Sequence, residues 1–167
     1  MAKALFLDRD GVVNVEKNYL YKIDDFELMD GILDICRRYE AQGYLIIIVT
    51  NQSGISRGYY TQDDFKHLSE WMVEYFKSLG VTLTHIYHCP HHESIDGNCD
   101  CRKPAPGMFL DAQRDFDIDM ADSVMIGDNE RDIEAAMSAG VTTNILLSSQ
   151  ASESAANQII RSLKELL

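Results

Sequence analysis

Two carboxylates, Asp8 and Asp10, stand two residues apart directly after the apolar run Ala4-Leu5-Phe6-Leu7. Such a run reads as a buried strand, and side chains at i and i+2 of an extended chain share a face. Gly11 lets the backbone turn away at once, so both carboxylates point into one pocket. Like charges this close repel, and burying them is costly unless a cation or a shared proton compensates. The pattern points to a divalent metal and to a reaction in which Asp8 attacks while Asp10 handles a proton.

Hydrolysis of a phosphate ester through a covalent intermediate needs such a nucleophile, an acid for the leaving oxygen, and cations on the equatorial oxygens. The rest of the chain offers the missing parts. Thr50 brings a hydroxyl and neighbouring backbone N–H groups, and Lys103 brings a positive charge. Asp128 could complete a Mg²⁺ site with an oxygen of Asp8 and the backbone carbonyl of Asp10, since Mg²⁺ takes few carboxylates and keeps water.

The elements that must position these groups are legible as alternating patterns. Strands are expected at Lys3–Asp8, Leu45–Thr50, His85–His88, Ser123–Gly127 and Thr143–Leu147. Between the first two, Ile32, Leu33, Ile35, Cys36 and Tyr39 mark one face of a helix ending before Gly43. Thr61 reads as the N-cap of a second helix, with Phe65, Leu68, Met72, Tyr75, Phe76 and Leu79 at helical spacing up to Gly80. Gly107 to about Phe116 and Arg131 to Ala139 read as further helices. Ser154–Leu167 reads as a terminal helix with Ile159, Ile160, Leu163, Leu166 and Leu167 on its buried stripe. Alternation of this kind predicts an α/β fold: a Rossmann-like, doubly wound parallel sheet with helices on both faces, in one domain spanning residues 1–167. Ligands of such folds bind at the carboxyl ends of strands, where Asp8, Asp10, Thr50 and Asp128 all fall.

Bulk properties narrow the function further. The 167 residues are 46% hydrophobic and 25% charged, with a formal net charge of -12. That excess of acid argues against nucleic-acid binding, which needs a basic face. It would also repel an anionic substrate, so local cations and a metal must overcome the global field near the site. The longest apolar run, Tyr44 to Val49, is too short to span a bilayer. No signal-peptide pattern is visible, so a cytoplasmic protein with no membrane partner is expected. Four cysteines lie at positions 36, 89, 99 and 101. In a reducing compartment their clustering points to metal before disulfide.

Asp8-x-Asp10-Gly11, Thr50-Asn51, Lys103-Pro104 and Gly127-Asp128-x-x-x-Asp132 resemble, in order and spacing, the four motifs of the haloacid-dehalogenase-type phosphatases. The resemblance covers nearly the whole chain. It implies Asp8 as nucleophile, Asp10 as general acid/base, Thr50 and Lys103 as stabilisers of the phosphoryl group, and Asp128 as a Mg²⁺ ligand. Asp132 is left as a hydrogen-bonding group within the site or a cap of its helix.

Cys89, His91, Cys99 and Cys101 form a Cys₃His set at Cys-x-His…Cys-x-Cys spacing, a closed tetrahedral arrangement suited to a structural Zn²⁺. His92 is the alternative ligand, and the family pattern favours His91. The zinc loop, about residues 88–102, runs straight into Arg102 and Lys103 and would fix the segment that delivers both cations. Cys36 reads as a core cysteine and His88 as the end of a strand.

Two branches of the family carry such a loop, one acting on heptose bisphosphates and one on histidinol phosphate. The run Thr50-Asn51-Gln52-Ser53-Gly54-Ile55-Ser56-Arg57-Gly58, and Cys101-Arg102-Lys103-Pro104 with Pro106-Gly107-Met108, resemble the heptose branch. The resemblance implies removal of the 7-phosphate of D-glycero-D-manno-heptose 1,7-bisphosphate, a small phosphorylated sugar. A chain of 167 residues leaves no room for a large cap domain, and a monomer is expected. Histidinol phosphate is the alternative substrate. A bisphosphate needs a cation for its second phosphate, and Arg57 and Arg102 are the candidates. Substrate contacts are further implied at Asn18, Tyr19, Asn51, Gln52, Ser53 and Asn129. Asn18-Tyr19 departs from the Gly-Tyr pair of the family's flap, and Asn129 stands where many relatives carry Lys. A zinc-stabilised binding module without catalysis is the contrasting reading, and it is disfavoured because no catalytic position is missing.

Overall fold

The computed structural model describes residues 1–167. Six strands, all parallel, form one sheet in the order β3-β2-β1-β4-β5-β6. They are β1 (Lys3–Leu7), β2 (Tyr44–Asn51), β3 (Leu83–Cys89), β4 (Val124–Gly127), β5 (Thr143–Leu147) and β6 (Gln158–Ile160). The helices are α1 (Ile32–Ala41), α2 (Gln62–Ser78), the single turn α3 (Glu93–Asp96), α4 (Gly107–Phe116) and α5 (Glu130–Ser138). The strand order reverses direction at β1, which opens a crevice between β1 and β4 at their carboxyl ends.

Alternation along the central strands divides the core in two. Leu5, Leu7, Ile46 and Ile48 face α1 and α2, packing with Ile32, Ile35, Cys36, Leu68, Met72 and Phe76. Ala4, Phe6, Ile47 and Val49 face the opposite side, against Met108, Phe109 and Ala112 of α4 and Ala135 and Ala136 of α5. Each side chain is buried on one face or the other, as the period of two requires. Register then sets the site. Leu7 lies opposite Ile48 of β2 and Ile126 of β4, so β1 and β4 end almost level while β2 runs on to Asn51 and carries Thr50 to the mouth of the crevice. The longest connections at this level are residues 8–31 and 90–106, neither of which is long enough to form a large cap domain over the strand ends.

Two helix starts follow from local chemistry. Thr61 caps α2 reciprocally with Asp64, as its position predicts. Asn129 caps α5 in the same way with Asp132.

The carboxyl-terminal expectation is corrected. Residues 154–167 form no α-helix; they hold β6 and a 3-10 turn at Leu163–Leu166. The open edge of β5 explains the difference. Its backbone groups need partners, and Ile145, Leu146 and Leu147 pair with Gln158, Ile159 and Ile160. The β-branched pair Ile159-Ile160 suits that pairing better than a helix. Ile160 and Leu163 still reach the core, through a strand and a turn.

Candidate active site

The ends of β1, β2 and β4 and the loop before α4 enclose a cavity of about 120 Å³. Its lining includes Asp8, Asp10, Thr50, Lys103, Asp128 and Asp132. Lys103 is the centre of it. Its ammonium is buried and lies 2.9 Å from Asp8 Oδ1, 2.7 Å from Asp132 Oδ1 and 2.8 Å from the carbonyl of Val49. An ammonium has three N–H donors, and three acceptors take them all.

Asp132 does both things its position allowed. One oxygen holds Lys103, and the other accepts the backbone N–H groups of Asp128 and Asn129, each at 3.1 Å. Gly127 makes this possible, because a Cβ there would lie 2.4 Å from Asp132 Cβ. Gly11 serves Asp128 likewise. Its backbone has φ +92°, and an added Cβ would fall 2.1 Å from an Asp128 carboxylate oxygen.

The carboxylates of Asp8, Asp128 and Asp132 lie within 4.8 Å of one another. Burial, reinforced by Asp132, pushes the Asp8 carboxyl well above the ordinary range despite Lys103 beside it. Asp128 is exposed as a residue, yet its carboxylate turns toward this group; desolvation there pushes it up to about 6. Burial pulls Lys103 down, but Asp132 and Asp8 outweigh it and its ammonium is strengthened. One buried lysine thus faces three acids. That deficit of positive charge fits a hard dication beside Asp8 and Asp128, the two carboxylates not tied to a helix cap.

Asp10 borders the same cavity but is held by other groups. Its carboxylate accepts from Arg9 at 3.0 Å, Asn14 Nδ2 at 3.0 Å and Gln52 Nε2 at 3.0 Å. Arg9 is buried, donates also to the carbonyl of Leu20, and lies over the Phe65 ring. Gln52 Nε2 reaches Thr50 Oγ1 at 2.9 Å, and its Oε1 accepts from the Tyr60 hydroxyl. Gln52 therefore acts within the protein, linking Asp10 to Thr50. Asn51 is similarly committed. It donates to the carbonyl of Lys103 at 3.2 Å and accepts from its N–H at 3.0 Å, clasping the lysine segment to the end of β2.

A second cavity of about 300 Å³ opens outward from the first. Asn18, Tyr19, Ser53, Arg57 and Arg102 line it, in the place expected of substrate contacts. Asn18 and Tyr19 both adopt left-handed backbone, at φ 54° and 66°. Arg102 is anchored by Glu93 at 3.0 Å and by the carbonyl of His91. Asn129 borders the inner cavity, where its side chain accepts from the Arg131 N–H as a helix cap. Arg131 lines both cavities. It was not foreseen, because an arginine in the first turn of a helix carries no motif. Arg9 and Asn14 are likewise hidden in the sequence, because alternation from Asp8 and Asp10 puts Arg9 on the opposite face and only three-dimensional contact brings both to the Asp10 carboxylate.

The four ligands expected for zinc converge. Cys99 Sγ is 3.7 Å from the sulfurs of both Cys89 and Cys101, and His91 Nδ1 is 3.7 and 3.4 Å from those two. A tetrahedron with Zn–S of about 2.3 Å has edges of about 3.8 Å, so these four separations fit it. The Cys89 and Cys101 sulfurs depart from it by touching each other, as a disulfide pair does. His92 lies outside the cluster, with Nδ1 bonded to Ser94. Cys36 is in the core and His88 lies within β3, as expected.

The sheet order and this constellation are those of a HAD-like hydrolase. A family model described as HAD-hydrolase-like matches residues 100–166, the stretch carrying Lys103, Asp128 and Asp132. The chain is 48% identical over 165 residues to the D-glycero-alpha-D-manno-heptose-1,7-bisphosphate 7-phosphatase of Campylobacter jejuni, covering 99% of this chain and 94% of that one. It is 43% identical to the D-glycero-beta-D-manno-heptose-1,7-bisphosphate 7-phosphatase of Escherichia coli K12, covering 98% and 91%. Among solved structures, the D,D-heptose 1,7-bisphosphate phosphatase of B. bronchiseptica, complexed with magnesium and phosphate, matches with TM-score 0.85 at 30% identity. That match covers 98% of this chain and 95% of that one. The chain belongs to the HAD-like phosphatases, in the family of the D-glycero-D-manno-heptose-1,7-bisphosphate 7-phosphatases.

The raised carboxyl of Asp128 has a testable consequence in metal-free protein. A carboxyl whose folded-state value lies above its unfolded value contributes stability below about pH 4, and that contribution is lost as pH rises through about 6. Asp128→Asn in a chelating buffer should therefore raise the urea midpoint above pH 6. The gain should shrink as the pH falls toward 4, and a gain independent of pH would contradict the assignment.

Proposed function

We propose that the whole chain, residues 1–167, works as one unit that removes the 7-phosphate of a D-glycero-D-manno-heptose 1,7-bisphosphate. The observation that carries this reading is the pairing of two cavities. The inner one gathers a carboxylate nucleophile, a lysine and a hydroxyl. The outer one, sized for a sugar, is lined by arginines for a second phosphate. The names of the relatives support the same substrate, and both anomers occur among them.

In this reading Asp8 attacks phosphorus, and the bond to the sugar oxygen breaks. Asp10 gives its proton to that oxygen, so the sugar leaves as an alcohol. Water then attacks the phosphoryl group on Asp8, Asp10 takes a proton from it, and inorganic phosphate departs as the Asp8–phosphorus bond breaks. Arg9, Asn14 and Gln52 keep the Asp10 carboxylate oriented through both steps. Thr50 and the backbone around it receive a phosphoryl oxygen, and Lys103 offsets the charge on Asp8. Mg²⁺, held by Asp8, Asp128 and the Asp10 carbonyl, would supply positive charge against the phosphoryl oxygens. Arg57 and Arg102 take the distal phosphate, with Asn18, Tyr19 and Ser53 around the sugar.

The deciding comparison is kcat/KM for heptose 1,7-bisphosphate against histidinol phosphate under Mg²⁺. The bisphosphate should be preferred by at least about 100-fold, the scale of one charge-assisted contact made or lost. A preference for histidinol phosphate would overturn the substrate while leaving the mechanism standing. Release of no phosphate from either would favour a binding module.

Zn²⁺ at Cys89, His91, Cys99 and Cys101 would hold the loop that carries Arg102 and Lys103. A disulfide uses only two of these four groups and leaves the convergence of Cys99 and His91 unexplained. Protein purified without chelator should contain one zinc per chain and, once denatured in chelator, titrate as four thiols. Two thiols and no zinc would establish the disulfide instead.

A further inference from the structure

We propose that Arg131 is the residue that grips the transferring phosphoryl group where it emerges from the inner cavity. The inference rests on the phosphatase reading above and adds a substrate contact that no motif supplies.

Three independent observations carry it. The inner cavity has two cationic side chains, Lys103 and Arg131. All three donors of Lys103 are taken by Asp8, Asp132 and the Val49 carbonyl, so it cannot reach a substrate oxygen without giving one up. Arg131 is the opposite case. Its guanidinium makes no hydrogen bond or ion pair, and only its backbone N–H is engaged, by Asn129. Its five donors are therefore free for an anion.

Position is the second observation. Arg131 is the one cation that lines both the inner and the outer cavity; the other residues shared between them are Asp10, Glu16 and Asn51. A phosphate seated between Asp8 and the sugar must pass that junction. Arg57 and Arg102 border only the outer cavity of the two, which leaves the distal phosphate to them.

The third is that Arg131 is misplaced for stability. It sits in the first turn of α5, between Glu130 and Asp132, at the positive end of the helix dipole. A cation there is unfavourable. An arginine that opposes its own helix and makes no side-chain hydrogen bond or ion pair gains no stability from its charge. Asn129, two residues earlier, is occupied as the helix cap and has no charge to offer.

The test compares Arg131→Ala and Arg131→Lys with the parent enzyme on p-nitrophenyl phosphate and on heptose 1,7-bisphosphate, together with inhibition by inorganic phosphate. In the alanine variant kcat/KM should fall about 10- to 100-fold on both esters by a similar factor, as loss of a charge-assisted contact predicts. The inhibition constant for phosphate should rise, and lysine should recover part of each loss. Its melting temperature should be unchanged or higher, which separates the effect from unfolding. A loss confined to the bisphosphate would assign Arg131 to the distal phosphate and overturn the proposal, as would unchanged kinetics. If the parent enzyme ignores the bisphosphate but Arg131→Ala still loses p-nitrophenyl phosphate turnover and phosphate inhibition, the substrate proposal fails and this one stands.

Discussion

The buried ammonium of Lys103, held between Asp8 and Asp132, is the interaction on which the remaining architecture of the site depends. Two carboxylates cannot be ionised side by side in a dry crevice without a cation. The lysine meets that need and in doing so ties four parts of the fold together. Asp8 comes from the end of β1, the Val49 carbonyl from β2, and Asp132 from α5. Its own backbone is clasped by Asn51 and follows directly on the cysteine cluster. Removing the charge would leave two buried acids facing each other, so the lysine and the register of three strands constrain one another. A lysine so fully engaged acts on the reaction through Asp8 rather than by reaching for the substrate.

The same arrangement accounts for how a chain of net charge -12 can attract a phosphate ester. The acids are spread over the molecule and screened beyond roughly a Debye length of 8–10 Å. Near the strand ends the field is local. Arg57, Arg102 and Arg131 border the outer cavity, and Lys103 and Arg131 border the inner one. The three clustered acids in that inner cavity then favour a dication over a second lysine.

Much of this was legible in the residues. The central strands appear as unbroken apolar runs because both their faces are buried, and the chemistry follows each run at the strand end. What was hidden has particular causes. Ile159, Ile160, Leu163 and Leu166 satisfy a helical stripe, and only the unpaired edge of β5 makes them a strand and a turn. Asn51 and Gln52 sit in a motif and read as substrate contacts, yet their amides are occupied by Lys103, Asp10 and Thr50. Asp132 looked like a cap or a site residue, and three-dimensional contact makes it both. Arg131 is invisible to pattern because its meaning lies in what surrounds it.

The central claim is that Asp8 carries the phosphoryl group and Asp10 moves the protons. The measurement that tests it most directly uses Asp10→Asn with p-nitrophenyl phosphate and Mg²⁺. The p-nitrophenolate leaves without a proton, so the first step should proceed while the second stalls. The account predicts a burst of about one p-nitrophenolate per active site, with the mass of one phosphoryl group on Asp8 after acid quench. A variant that shows no burst and no label while the parent enzyme turns over, or a label on another residue, would contradict it.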